Sequence, residues 1–123
     1  MNSYLLVALG GAIGAVLRFA CSQMVGNDSF PLATLSVNLL GSFLIGFCTL
    51  ASANAVMGEE ATLLLITGIL GAFTTMSAFS LETIQLIEQR DWSSVLPYIG
   101  ITLFCCPLLA FFGLKTGEYV FTK

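Results

Sequence analysis

The chain has 123 residues, 57% of them hydrophobic and 9% charged, with a net charge of −3 and a mean hydropathy of +0.95. Four Lys/Arg and seven Asp/Glu cannot clothe a soluble surface of this size, so the bilayer must be the solvent, and the acidic balance argues against nucleic acid as a partner. The absence of histidine excludes histidine metal sites and Ser-His-Asp catalysis. Crossing a bilayer takes about 20 apolar residues. Four such segments fit, which gives an all-α, four-transmembrane-helix protein, a single transmembrane domain with helices over about 3–25, 32–53, 61–88 and 94–117. Cys21, Cys48, Cys105 and Cys106 lack CxxC spacing and read as small packing residues, with a disulfide or metal site as the alternative.

The first segment follows no basic stretch and contains Arg18, so it reads as a membrane helix and not as a signal peptide. Its Gly10-x-x-x-Gly14 spacing puts two bare backbone patches one turn apart for close helix approach. Arg18 near its far end snorkels or pairs inside the protein. Gly26 to Pro31 is a turn by composition. In the second helix Thr34, Asn38 and Ser42 recur at i, i+4 and i+8 and share a stripe with Gly41 nearby. Asn38 is the costly member, because an amide in hydrocarbon needs partners for two donors and an acceptor. Glu59 and Glu60 suit the N-terminus of the third helix.

That third helix is longer than a straight crossing needs. Gly68, Gly71, Thr74 and Thr75 weaken it, and a break is expected near Gly71–Thr75. Irregular backbone at this depth survives only inside protein or along a cavity, and its free carbonyls suit a hard cation. Beyond the break Met76, Phe79 and Thr83 fall on one stripe, flanked by Ser77 and Ser80 on one side and Glu82 on the other. This stretch is read as the lining of a permeation pathway. Asp91 or Ser93 caps the fourth helix, Trp92 sits at the interface, and Pro107 introduces a kink. Gly113-x-x-x-Gly117 is another close-packing patch. Arg18 and Arg90 on one side balance Lys115 and Lys123 on the other, so the positive-inside rule sets no orientation, and insertion both ways would give an antiparallel dimer.

Gly10-Gly11-x-x-Gly14-Ala15-x-x-Arg18-Phe19, Thr34-x-x-x-Asn38-x-x-Gly41-Ser42-Phe43-x-x-Gly46 and Gly71-x-x-Thr74-Thr75-x-Ser77-x-Phe79-Ser80-x-Glu82 together resemble the Fluc-type (CrcB family) fluoride channels. The resemblance implies a dual-topology dimer in the cell membrane with two fluoride pores and passive export of toxic fluoride without catalysis. It implies a structural Na+ at the dimer interface, held by backbone carbonyls that map to Gly71 and Thr74. Asn38, Phe79, Ser77, Ser80 and Glu82 match the family's pore positions; Arg18, Gly10 and Gly14 read as structural residues.

Fluoride is small and strongly hydrated. Amide and hydroxyl donors can replace its water, and a phenyl edge can face it. This chain departs where the family reads Thr-Phe-Ser-Thr-Phe: Met76 replaces a ring and Ala78 a threonine. Cys106 and Ala110 stand where hydroxyls would extend the track. A homodimer with a thinned lining and one half of a heterodimer both fit. A small multidrug-resistance-type exporter would need a carboxylate in the first helix, which is absent. A non-transporting assembly subunit would fit the glycine faces but not the polar break.

Overall fold

The computed structural model describes residues 1–26 and 29–122; the turn residues Asn27 and Asp28 and the terminal Lys123 lie outside them. Among the described residues the secondary structure is helical throughout. α1 spans Ser3–Val25 and α2 spans Leu32–Ala53. The third crossing is in two pieces. Its first, α3 (residues 59–73), is an α-turn Glu59–Thr62, a π-helical stretch Leu63–Leu70 and a last turn Gly71–Phe73. Its second is α4, Met76–Glu88, and α5 then runs Trp92–Phe121 without interruption through Pro97 and Pro107.

These helices make four crossings long and apolar enough for a membrane, so both chain ends and the 54–58 connection share one face. The Met1 ammonium pairs with Glu60 at that face. Large apolar side chains such as Val16, Phe19, Leu103 and Phe104 point outward. In water that pattern would be costly; in lipid it is the ordinary exterior.

Apolar side chains gain little from meeting each other in lipid, so helices associate through close backbone packing and polar bonds. Glycine supplies the packing. A Cβ on Gly10 would strike the Leu64 carbonyl oxygen and the Gly68 Cα, and one on Gly14 the Ile69 carbonyl oxygen. α1 and α3 therefore touch backbone to backbone. The α2–α5 seam is built the same way. Gly46 faces the Ala110 carbonyl, Gly113 faces that of Phe43, and Gly117 sits on Leu50. A denser side-chain core of Leu35, Phe79, Leu86, Val95 and Tyr98 fills the space where α2, α4 and α5 meet.

The helix ends follow from local chemistry. Asn2 Oδ1 accepts from the Tyr4 N–H at 2.9 Å to start α1. Asp91 accepts from the Ser94 N–H and the Ser93 hydroxyl to start α5, and the Ser93 and Ser94 bonds hold its carboxyl below the usual carboxylate range. α2 and α4 both end in Schellman turns. Val56 N–H bonds the Ala51 oxygen and Ala55 N–H that of Ser52. Asp91 N–H bonds Leu86 and Arg90 N–H bonds Ile87 in the same way. The left-handed position is Ala55 (φ 55°) in one and Arg90 (φ 57°) in the other.

Candidate ion pathway

The break is two residues wide. Thr74 (φ −80°, ψ 155°) and Thr75 (φ −153°, ψ 118°) are extended, so the helical ladder stops and backbone groups are released at mid-span. Each released group needs a partner at that depth. Asn38 supplies two of them: its Oδ1 accepts from the Thr75 N–H at 2.8 Å and its Nδ2 donates to the Thr75 oxygen at 3.0 Å. The side-chain amide thus bonds Thr75 as a neighbouring strand would. Arg18 Nε donates to the Ala72 oxygen at 3.1 Å, and the Thr74 hydroxyl donates to the Leu70 oxygen. Thr75 Oγ1 accepts from the Ala78 N–H at 3.1 Å, which starts α4, and shares a hydrogen bond with the Ser77 hydroxyl. Gly41 makes room for all this, since a Cβ there would overlap the Thr74 methyl.

About two turns beyond Thr75, Glu82 ties three helices together. Its Oε1 accepts from the Thr34 hydroxyl of α2 at 2.7 Å and its Oε2 from the Tyr98 hydroxyl of α5 at 2.6 Å. Tyr98 is fully buried, between the rings of Phe79 at 5.0 Å and Phe30 at 5.6 Å. Both carboxylate oxygens thus have short, charge-assisted partners.

Three cavities follow this polar trail and share walls. One of about 330 Å³ has Ser22, Thr34, Glu82 and Gln85 in its lining. The next, about 290 Å³, shares Ser22, Thr34 and Glu82 and adds Arg18 and Thr75. The third, about 370 Å³, shares Thr75 and is walled by Asn38, Ser42, Thr74, Met76, Thr102 and Cys106. Thr102, only 6% exposed, carries a buried hydroxyl with no hydrogen-bond partner. Buried hydroxyls in proteins are almost always bonded, so an unpartnered one in the wall of this cavity is an exception.

The expected site residues separate into groups. Asn38, Thr74 and Met76 share the third cavity, and Met76 is 63% exposed. Arg18 and Glu82 share the second, with Ala78. Ser77 and Ser80 face outward from α4, and Ser80 spends its hydroxyl on the Met76 carbonyl at 2.9 Å. Phe79 points the other way, into the core against Tyr98. Gly71 is exposed on the outer face of the break, whereas Gly10 and Gly14 are buried in the α1–α3 seam. Ala110 has its backbone against Gly46. Two residues outside the expected set stand at the centre of the site, Tyr98 and Thr102. Their signal was present: Tyr98, Thr102 and Cys106 repeat at i, i+4 and i+8, the same polar stripe that marks α2.

A family model described as CrcB-like protein, Camphor Resistance (CrcB), matches residues 5–114. The chain belongs to this family. Among curated members, the Fluoride-specific ion channel FluC 1 of Geobacillus kaustophilus is 44% identical over 120 residues, covering 96% of this chain and 100% of its own length. A Fluoride-specific ion channel FluC of Thermus thermophilus is 43% identical, covering 95% and 96%. That of Magnetococcus marinus is 45% identical over 118 residues, covering 93% and 96%. The matched residues take in the break, Asn38, Glu82 and the α5 stripe, and the family is one of membrane channels and not of enzymes.

Proposed function

We propose that this chain is a fluoride-selective ion channel of the cell membrane, working as a dimer of two copies inserted in opposite orientations, and that it lets toxic fluoride leave passively. The observation that carries the reading is the unpartnered Thr102 hydroxyl, buried in the cavity wall beside Asn38. Asn38 gives one N–H to Thr75 and keeps a second. Two residues with neutral donors thus stand in the wall of one space that carries no fixed positive charge. Such a site replaces fluoride's water yet releases the ion. Met76 in the same wall offers its electropositive methyl in place of a ring edge. Ser77 and Ser80 face outward, so in this reading they serve at the surface where the second copy docks.

The donor chemistry of the break fits a structural Na+. The hydrogen bonds there engage the oxygens of Leu70, Ala72 and Thr75, not those of Gly71 and Thr74. Among the described residues no cluster of three His, Cys, Asp or Glu side chains competes for a cation. Carbonyl oxygens from Gly71 and Thr74 of two copies would suit a hard monovalent ion, which would brace the dimer.

The test is fluoride efflux, read by electrode, from liposomes holding only this purified chain, with chloride efflux run in parallel. Fast fluoride release without chloride release is the expected result. A folded dimer that releases neither ion sinks the self-sufficient homodimer, and restoration by a related subunit would then establish the heterodimer.

A further inference from the structure

We infer that the π-helical stretch Leu63–Leu70 of α3 stores one surplus residue and exchanges it with the break, so that α3 has two registers against α1. The flanks of the stretch are ordinary helix. Thr62 N–H bonds the Gly58 oxygen and Thr74 N–H that of Leu70, each four residues back. Between them Gly71 N–H reaches the Ile66 oxygen, five back, and the Gly68 oxygen, three back. A five-back ladder takes up one residue more per turn than an α-helix does.

The seam with α1 identifies that residue as surplus. The Leu64 carbonyl oxygen lies where a Cβ of Gly10 would go, and the Ile69 oxygen where one of Gly14 would go. Four residues of α1 therefore match five of α3. In an α-helix Leu64 and Ile69 would stand about 140° apart, so the wide turn is what aims both carbonyls at α1. An α-helical α3 needs a step of four for the same seam. Four beyond Leu64 is Gly68, whose bare Cα already packs on Gly10 and would fit Gly14 equally. Three residues, Gly71–Phe73, lie between the store and the break. When the stretch narrows to α-helix the break takes in Phe73, and when it widens Phe73 returns to the helix. Gly71 is the joint, with its N–H divided between two oxygens, neither of them the four-back oxygen of an α-helix.

The two registers present different carbonyls at the break. Gly71 and Thr74 stand on either side of Phe73, so their oxygens change separation when Phe73 leaves the helix. A sodium ion on those oxygens would hold the wide-turn register; this consequence rests on the sodium reading above.

The experiment is NMR relaxation dispersion on the isotope-labelled full chain in nanodiscs, because helix register shifts run in microseconds to milliseconds. Dispersion is expected at the Gly71 and Thr74 amides in sodium-free medium, and added Na+ should quench it. Deleting Thr67, an exposed residue of the wide turn, shortens the step from five to four and removes the surplus. That variant should fold as the parent does, keep the Thr75 amide protected from hydrogen exchange, and lose the dispersion. Deleting Ala12, also exposed but on the α1 side of the seam, leaves Gly10 and Gly14 three apart with no store to draw on, and should lose the folded species. Flat profiles in the parent overturn the exchange. So does dispersion unchanged without Thr67, a Thr67 deletion that does not fold, or an Ala12 deletion tolerated as well as it. Dispersion that vanishes with Thr67 but ignores Na+ upholds the exchange and counts against the sodium site alone.

Discussion

The α2–α5 seam and the break between α3 and α4 both lean on α2, and they are held to it by opposite means. The seam is largely bare backbone: Gly46 and Gly113 bring the two helices together carbonyl to Cα, and Gly117 lets the Leu50 side chain lie against the chain. The break is all polar pairing: Asn38, Arg18, Thr74 and Thr75 share hydrogen bonds that the interrupted helix cannot make for itself. The seam should therefore tolerate loss of polar atoms but no added volume, whereas the break should not survive loss of its polar partners.

The largest effect is expected in the seam. Gly113→Leu drives a side chain into the Phe43 carbonyl and should cost about 3 kcal/mol or more, seen as loss of the folded species in size-exclusion chromatography. Gly100, which has open space around it, is the control, and Gly100→Leu should elute as the parent does. If both behave alike, close approach is not what holds α2 to α5.

Next comes the break. Asn38→Ala adds no volume but strands the Thr75 N–H and oxygen, at about 2–5 kcal/mol. Thermal melting should fall and fluoride efflux should be lost. Asn38→Asp keeps the acceptor and loses the donor, so it should lie between. An Asn38→Ala protein as stable as the parent would remove the contrast with the seam.

Smaller is the Glu82 tie. Tyr98→Phe keeps the ring between Phe30 and Phe79 and removes one hydrogen bond to a charged group, at about 1.5–3 kcal/mol. A double-mutant cycle with Glu82→Gln should show coupling of the two, and strict additivity would mean they act separately. The smallest change has the opposite sign. Arg90→Gly removes a left-handed arginine from the α4 end and should stabilise by about 0.5–1 kcal/mol. Ala55→Gly should do the same at the other membrane face.

Much of this was legible in the chain. Apolar length alone places four crossings, because in lipid every backbone group must be bonded within a helix and few alternatives exist. The break could be read from Gly71, Thr74 and Thr75, which disfavour helix where the span is already too long. The partner of the break could not. That Asn38 meets Thr75 depends on the register between α2 and α3, which Gly41 sets through a contact with the Thr74 methyl. Likewise Phe79, Ser77 and Ser80 look like one group in sequence, yet α4 turns them to opposite faces, and only packing on Tyr98 decides which is buried. The π-helical stretch Leu63–Leu70 has no sequence mark at all: its apolar run would serve an α-helix equally.

The break also leaves two helix ends facing each other in the middle of the span. α3 finishes there with its partial negative pole, and Arg18 brings a full positive charge against the Ala72 carbonyl at that pole. α4 starts there with its partial positive pole, which Thr75 caps with a neutral hydroxyl and no carboxylate. One pole is neutralised and the other is left uncompensated. The local field at the centre of the molecule therefore favours an anion over a cation on the α4 side, although the chain as a whole is acidic. Charge selection here depends on the direction of two short dipoles, and a chain with a continuous third helix would lack it even with every side chain in place.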